Sequence, residues 1–196
     1  MKPRHVCKAL LGALIASFIV APRPATAGED LMALEAKVRA AHPNVRHMTL
    51  TEYDALVARG APVLLIDARE KEEFAVSHLP GAQHVAPDTK AETFMSRFGA
   101  TLAGRQVIVY CSVGVRSSRL ADRIATAARA AGAVDVANLE GGIFRWHNEG
   151  RPLARADATT GEVHPYDRRW GRYVDDQSGV AYTPGGSAAA HRQDQR

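Results

Sequence analysis

The chain has 196 residues, 46% hydrophobic and 23% charged, enough apolar material for one ordinary core and too much for a globally disordered polymer. Its formal charge of +4 suggests an anionic partner, but Lys2, Arg4, Lys8 and Arg23 lie in the first 27 positions, which hold no Asp or Glu. The remainder carries 21 basic and 21 acidic residues, so the positive balance belongs to the N-terminal segment and argues against a nucleic-acid surface.

Residues 1–27 read as an export signal. Basic residues precede an apolar run over 9–21, short of the ~20 residues a membrane span needs, and Ala25-Thr26-Ala27 forms a small-residue cleavage site before Gly28. The expectation is an exported, periplasmic protein with no membrane contact after cleavage; an uncleaved membrane anchor is the alternative. Cys7 precedes the apolar core and is misplaced for lipid modification. Removal of the leader would leave Cys111 as the only cysteine, unable to form an internal disulfide.

Residues 29–41 (EDLMALEAKVRAA) place Leu31, Leu34 and Val38 at helical spacing, within an N-terminal helical extension over 28–44. Residues 45–50 suit a short strand. Thr51 reads as the N-cap of a helix over 52–58. The apolar run 61–67 is the pattern of a parallel strand covered on both faces. A helix over 70–76, a turn at Leu79-Pro80-Gly81, a short strand over 82–85 and a helix over 90–98 follow, the last burying Phe94, Met95 and Phe98. Residues 107–110 (VIVY) form the central strand, residues 118–131 a helix with Leu120 and Ile124 inward, residues 134–139 the last strand and residues 141–149 the last helix. Alternating strands and helices imply an α/β fold: a mostly parallel sheet of about five strands with helices on both faces. The domain proper is assigned to 45–153. Residues 154–176 form a C-terminal extension in which Tyr166, Trp170 and Tyr173 either pack back on the domain or form a partner-docking or substrate-mouth element. Residues 177–196, rich in Gly, Ser, Ala and Gln, read as disordered.

Cys111 ends the central strand and opens a loop, Ser112-Val113-Gly114-Val115-Arg116, that feeds a helix. In an open α/β sheet ligands bind at this edge, and backbone N–H groups with a helix dipole favour a thiolate there. Gly114 permits a turn that a bulkier residue resists, so successive N–H groups can face the sulfur. A buried cysteine packing as a small apolar residue is the plainer alternative.

CSVGVRS resembles the active-site loop of the rhodanese sulfurtransferases, whose pattern is C-x-x-G-x-R. Residues 64–85 (LLIDAREKEEFAVSHLPGAQHV) resemble the same family's aspartate–x–arginine strand end and its following turn, and residues 138–153 (NLEGGIFRWHNEGRPL) its glycine–glycine turn and tryptophan helix. The three segments stand in the family's order. The resemblance implies one rhodanese-like domain and a cycle in which Cys111 takes the outer sulfur of a small anionic donor such as thiosulfate, becomes a persulfide, and yields the sulfur to a thiol or to cyanide. Residues 112–116 would stabilise thiolate and persulfide with their N–H groups. Arg116 would grip the donor's anionic end, or form a salt bridge at the base of the loop. Asp67 and Arg69 would brace the loop, or pair on the surface. Glu73 stands where some two-domain rhodaneses carry a substrate-binding arginine. His78, in the turn, reads as structural, and Trp146 as core. His84, His147 and His164 show no metal-ligand spacing with Cys111, so neither metal nor other cofactor is expected.

Cysteine phosphatases place the arginine six positions after the cysteine; here the sixth position is Ser117 and Arg116 is the fifth. This smaller ring suits a sulfur atom better than a phosphate, and leaves a phosphatase or arsenate reductase as the third reading. The second is a persulfide carrier or redox-partner module that serves a protein sulfur acceptor and turns over small donors poorly.

Overall fold

The computed structural model describes residues 27–187. The expected export signal falls almost wholly outside them; within them, no helix is long and apolar enough to cross a membrane.

Helix α1 (Ala27–Ala41) leads into β1 (Arg46–Met48), α2 (Leu50–Ala58), β2 (Val63–Asp67), α3 (Lys71–Val76), β3 (Gln83–His84), α4 (Ala91–Phe98), β4 (Gln106–Tyr110), α5 (Val115–Ala130), β5 (Asp135–Leu139) and α6 (Gly142–Asn148). The five strands form one sheet in the order β1-β5-β4-β2-β3, every pairing parallel, so the expectation of a parallel α/β sheet is borne out. Period-two alternation along β4 explains the layering. Ile108 and Tyr110 enter a core shared with α1, α2 and α6, while Val107 and Val109 enter one shared with α4 and α5.

Two boundaries differ from expectation. Thr49, not Thr51, caps α2: its hydroxyl accepts from the Glu52 N–H at 3.2 Å, and the Glu52 carboxylate accepts from the Thr49 N–H at 2.8 Å. This reciprocal box requires a three-residue spacing that only Thr49 has. Helix α5 begins at Val115 rather than Ser118. Gly114, at φ 106°, makes the sharp entry, so Val115 and Arg116 belong to the first turn of the helix and the loop proper is four residues long.

Beyond the sheet, β6 (Leu153–Arg155) and β7 (Ala158–Thr160) form a hairpin, followed by the single helical turn α7 (Arg168–Gly171). Ala154 bridges His78 in the turn after α3 through two backbone bonds of 2.8 and 2.9 Å. The segment expected to be disordered from residue 177 is folded as far as Ser187. Gln177–Gly179 is a 3-10 turn, Val180 bridges Val163, and Ala181 and Ser187 are buried. The Glu162 carboxylate holds this return, accepting from the Gly185 and Ser187 N–H groups and pairing with Arg155. Composition hid this because backbone pairing and one buried carboxylate fasten the segment alongside its few apolar contacts, Val180 and Ala181.

Candidate active site

β4 delivers Cys111 to the C-terminal edge of the sheet, where the loop is held between two helix N-termini. On one side α5 begins, and the Gly114 N–H points at Cys111 Sγ, 3.2 Å away. On the other, the first N–H groups of α6 hold the loop's carbonyls: Ile143 N–H donates to the Cys111 carbonyl at 2.9 Å and Phe144 N–H to that of Ser112 at 3.1 Å. Gly142 permits this approach. It sits at φ 53°, and a Cβ there would overlap the Cys111 carbonyl oxygen. The glycine–glycine turn thus positions the loop as well as starting the helix.

Asp67 and Arg69 are not a surface pair. Both are fully buried, and Arg69 donates to both Asp67 oxygens, from Nε at 2.9 Å and Nη2 at 2.6 Å. Nη2 also donates to the Ser77 carbonyl at 2.6 Å. The Tyr110 hydroxyl donates to Asp67 Oδ2 at 2.7 Å and accepts from the Leu79 N–H at 2.9 Å. Tyr110 precedes Cys111, so this network joins the ends of β2 and β4 to the turn after α3. Burial first, and then the negative field of Asp67, pushes the Tyr110 hydroxyl well above its ordinary pKa, keeping it a neutral donor. Burial opposes charge on Arg69, but Asp67 more than offsets it and the guanidinium pKa is raised.

Arg116 forms the salt bridge rather than standing free. Its Nη1 and Nη2 donate to the two Glu73 oxygens at 2.6 and 2.9 Å, and Nη2 donates to Ser112 Oγ at 2.9 Å. Glu73 is buried on α3 and also accepts from the Glu70 N–H at 3.0 Å. Burial alone would raise its pKa, but Arg116 and Arg69 reverse that and hold the carboxyl below the usual range. For Arg116, burial likewise opposes the charge, and the Glu73 bonds with the nearby Cys111 sulfur outweigh it.

Cys111, Ser112, Val113, Val115 and Arg116 line one side of a cavity of about 180 Å³; Tyr166 and Trp170 from the extension line the other. The structure therefore brings together Cys111, its loop and Arg116, with Asp67 and Arg69 beneath. It also splits the aromatic trio: Tyr173 is buried in the core, while Tyr166 and Trp170 face the thiol's cavity. The Arg116 guanidinium carbon lies 4.8 Å from the Tyr166 ring centroid. His164 receives the Tyr166 N–H on Nδ1 at 3.0 Å. Its pKa is lowered, first by burial and then by Arg69 and Arg116. Sequence reasoning missed the partners Ser77, Tyr110 and His164. The alternation that turns Tyr110 and Ile108 to one face was the only available signal, and it does not reveal a hydroxyl's partner. A larger cavity of about 520 Å³, lined by α6, β7 and Asp175-Asp176, contains no cysteine. Among the described residues no group of three or more His, Cys, Asp or Glu could hold a metal.

A family model described as a rhodanese-like domain matches residues 49–149. The probable adenylyltransferase/sulfurtransferase MoeZ of Mycobacterium tuberculosis is 33% identical over 97 residues, 47% of this chain and 22% of that protein. The uncharacterized protein YqhL of Bacillus subtilis is 32% identical over 82 residues, 42% of this chain and 59% of that one. This chain thus spans about a fifth of the first relative and under two thirds of the second. Among solved structures, the thiosulfate sulfurtransferase of Pseudomonas aeruginosa is 22% identical, with 68% of this chain and 24% of that chain covered and a TM-score of 0.47.

Proposed function

The chain belongs to the rhodanese-like domain family, and from that premise we propose that it is a sulfurtransferase with Cys111 as nucleophile. The observation that carries the reading is the cysteine's setting: Cys111 lines a small cavity, its Sγ receives the Gly114 N–H at the entry to α5, and its carbonyl is fixed by the first turn of α6. Thiolate attack on a sulfane sulfur is favoured where fixed N–H dipoles meet the sulfur's charge.

In the first half-reaction the Cys111 thiolate attacks the outer sulfur of thiosulfate or a related donor. The new Sγ–S bond forms as the donor's S–S bond breaks, and sulfite leaves with the electron pair. In the second, a thiol or cyanide attacks the outer persulfide sulfur and the thiolate returns. No electron carrier is consumed. The loop 112–116 serves the anionic persulfide, and Asp67, Arg69 and Tyr110 hold its base. The N-terminal segment's basic-then-apolar pattern supports export to the periplasm as part of the same proposal.

Intact mass before and after thiosulfate, beside a cyanide-to-thiocyanate assay, tests the reading. The expected result is a gain of one sulfur that cyanide removes and that Cys111→Ser abolishes. A Cys111→Ser variant that still produced thiocyanate would overturn it. The second reading, a persulfide carrier for a protein acceptor, is favoured by the engagement of Arg116 with Glu73; stable loading of Cys111 with negligible turnover to cyanide would select it.

A further inference from the structure

The Cys111 cavity has one guanidinium in its wall, and that group is already engaged. Glu73 takes both of its terminal nitrogens, Ser112 Oγ shares one of them, and Tyr166 covers it. A bidentate pair of this kind is a strong, directional contact, and the Arg116 side chain is only 20% exposed. The second cation near the loop, Arg69, is likewise paired with Asp67. The cavity's other walls are Val113, Val115, Tyr166 and Trp170. The site therefore offers apolar and aromatic surface with locally balanced charge, a poor setting for bringing a dianion against a thiolate.

Tyr166 is held there deliberately by its surroundings. It adopts φ 68°, a conformation that non-glycine residues hold only when their contacts over-determine it. Its N–H is fixed by His164 Nδ1 at 3.0 Å, yet the residue remains 47% exposed.

Building on the sulfurtransferase reading, we propose that Glu73 and Tyr166 are specificity-determining residues that turn the donor site away from inorganic thiosulfate and toward small organic hydropersulfides, R–S–SH. The uncharged R group would lie against Val113, Val115, Tyr166 and Trp170. The Cys111 thiolate attacks the terminal sulfur; the Sγ–S bond forms, the S–S bond of the donor breaks, and the electron pair leaves with R–S⁻. The proton remains on the transferred sulfur until it exchanges with water. Total charge is unchanged and no oxidant or reductant is required.

The test compares rates of Cys111 persulfidation by sodium thiosulfate and by ethyl hydropersulfide, read by intact mass, in the wild type, Glu73→Gln and Tyr166→Ala. Glu73→Gln keeps the shape and the oxygen that accepts from both the Glu70 N–H and Arg116 Nη1, but removes the charge and the acceptor for Arg116 Nη2, loosening Arg116. It is expected to raise the ratio of the thiosulfate rate to the hydropersulfide rate about tenfold. Tyr166→Ala is expected to raise the same ratio several-fold, and decides the matter alone if Glu73→Gln does not fold. A donor ratio that neither variant shifts overturns the inference while leaving the sulfurtransferase reading intact. Failure of both donors to load Cys111 in any of the three proteins overturns both.

Discussion

At the scale of single residues, the most consequential feature is that the charges around the loop are satisfied in pairs. The Asp67 carboxylate accepts from the Arg69 side chain, the Arg69 N–H and the Tyr110 hydroxyl, all out of water. Removing one member of such a set leaves its partner buried and uncompensated, which costs more than the pair contributes. Asp67→Asn is expected to destabilise the fold by about 3–5 kcal/mol, because Arg69 has no route to solvent. Tyr110→Phe removes a neutral hydroxyl and strands the Leu79 N–H, and is expected to cost about 1–3 kcal/mol. Urea unfolding of the two variants checks both the sizes and their order. The order follows from charge, since one substitution strands a guanidinium and the other an amide.

At the scale of elements, the site is built from ends: the ends of β2 and β4, the first turns of α5 and α6, and the segment between β7 and α7. Within that segment His164 holds the Tyr166 N–H and packs edge-on against the Tyr182 ring. Its folded pKa lies below the ordinary value of 6.5, so the unfolded chain binds the proton more readily. Its stabilising contribution is therefore present above pH 6.5 and is lost as pH falls toward the folded value. Protonation also removes Nδ1 as an acceptor for the Tyr166 N–H. Between about pH 8 and about pH 5, the thermal midpoint of the wild type is expected to fall further than that of His164→Gln. Parallel melting curves across that range check it; identical pH profiles would mean His164 does not couple to folding.

At the scale of the whole molecule, the C-terminal extension is part of the core rather than an appendage. Val163, Tyr173 and Val174 are buried in the same cluster as Tyr53, Phe144 and Trp146, and the extension's hairpin is bridged to His78. Burial of each large apolar side chain contributes about 1.5–3 kcal/mol. A chain ending at residue 153 is therefore expected to lose on the order of 5 kcal/mol or more and to bind a hydrophobic dye. Thermal unfolding of that truncation beside the full chain checks it. The same extension supplies Tyr166 and Trp170 to the thiol's cavity, so the segment that packs on the core also shapes that cavity.

The order of strands and helices, the place of Cys111 at a strand end and the loop that follows it were legible in the sequence, because they depend on local periodicity and on residue types at short spacing. Buried runs such as VLLID and VIVY announce parallel strands, and Gly114 announces a turn. What Arg116 does was not legible: the alternatives of donor contact and salt bridge differ only in whether Glu73, forty-three positions earlier, faces it. The same holds for Asp67 and Arg69, whose spacing suits a surface pair as well as a buried one until β3, β4 and the turn after α3 close over them. Helix α5 starts earlier than its apolar periodicity suggests because the Gly114 turn places Val115 and Arg116 directly in the first helical turn. Residues 177–187 are ordered by backbone pairing and by one carboxylate, Glu162. Local pattern settles which elements form; only their packing in three dimensions decides which charges meet, which are removed from water, and therefore what the cavity above Cys111 will accept.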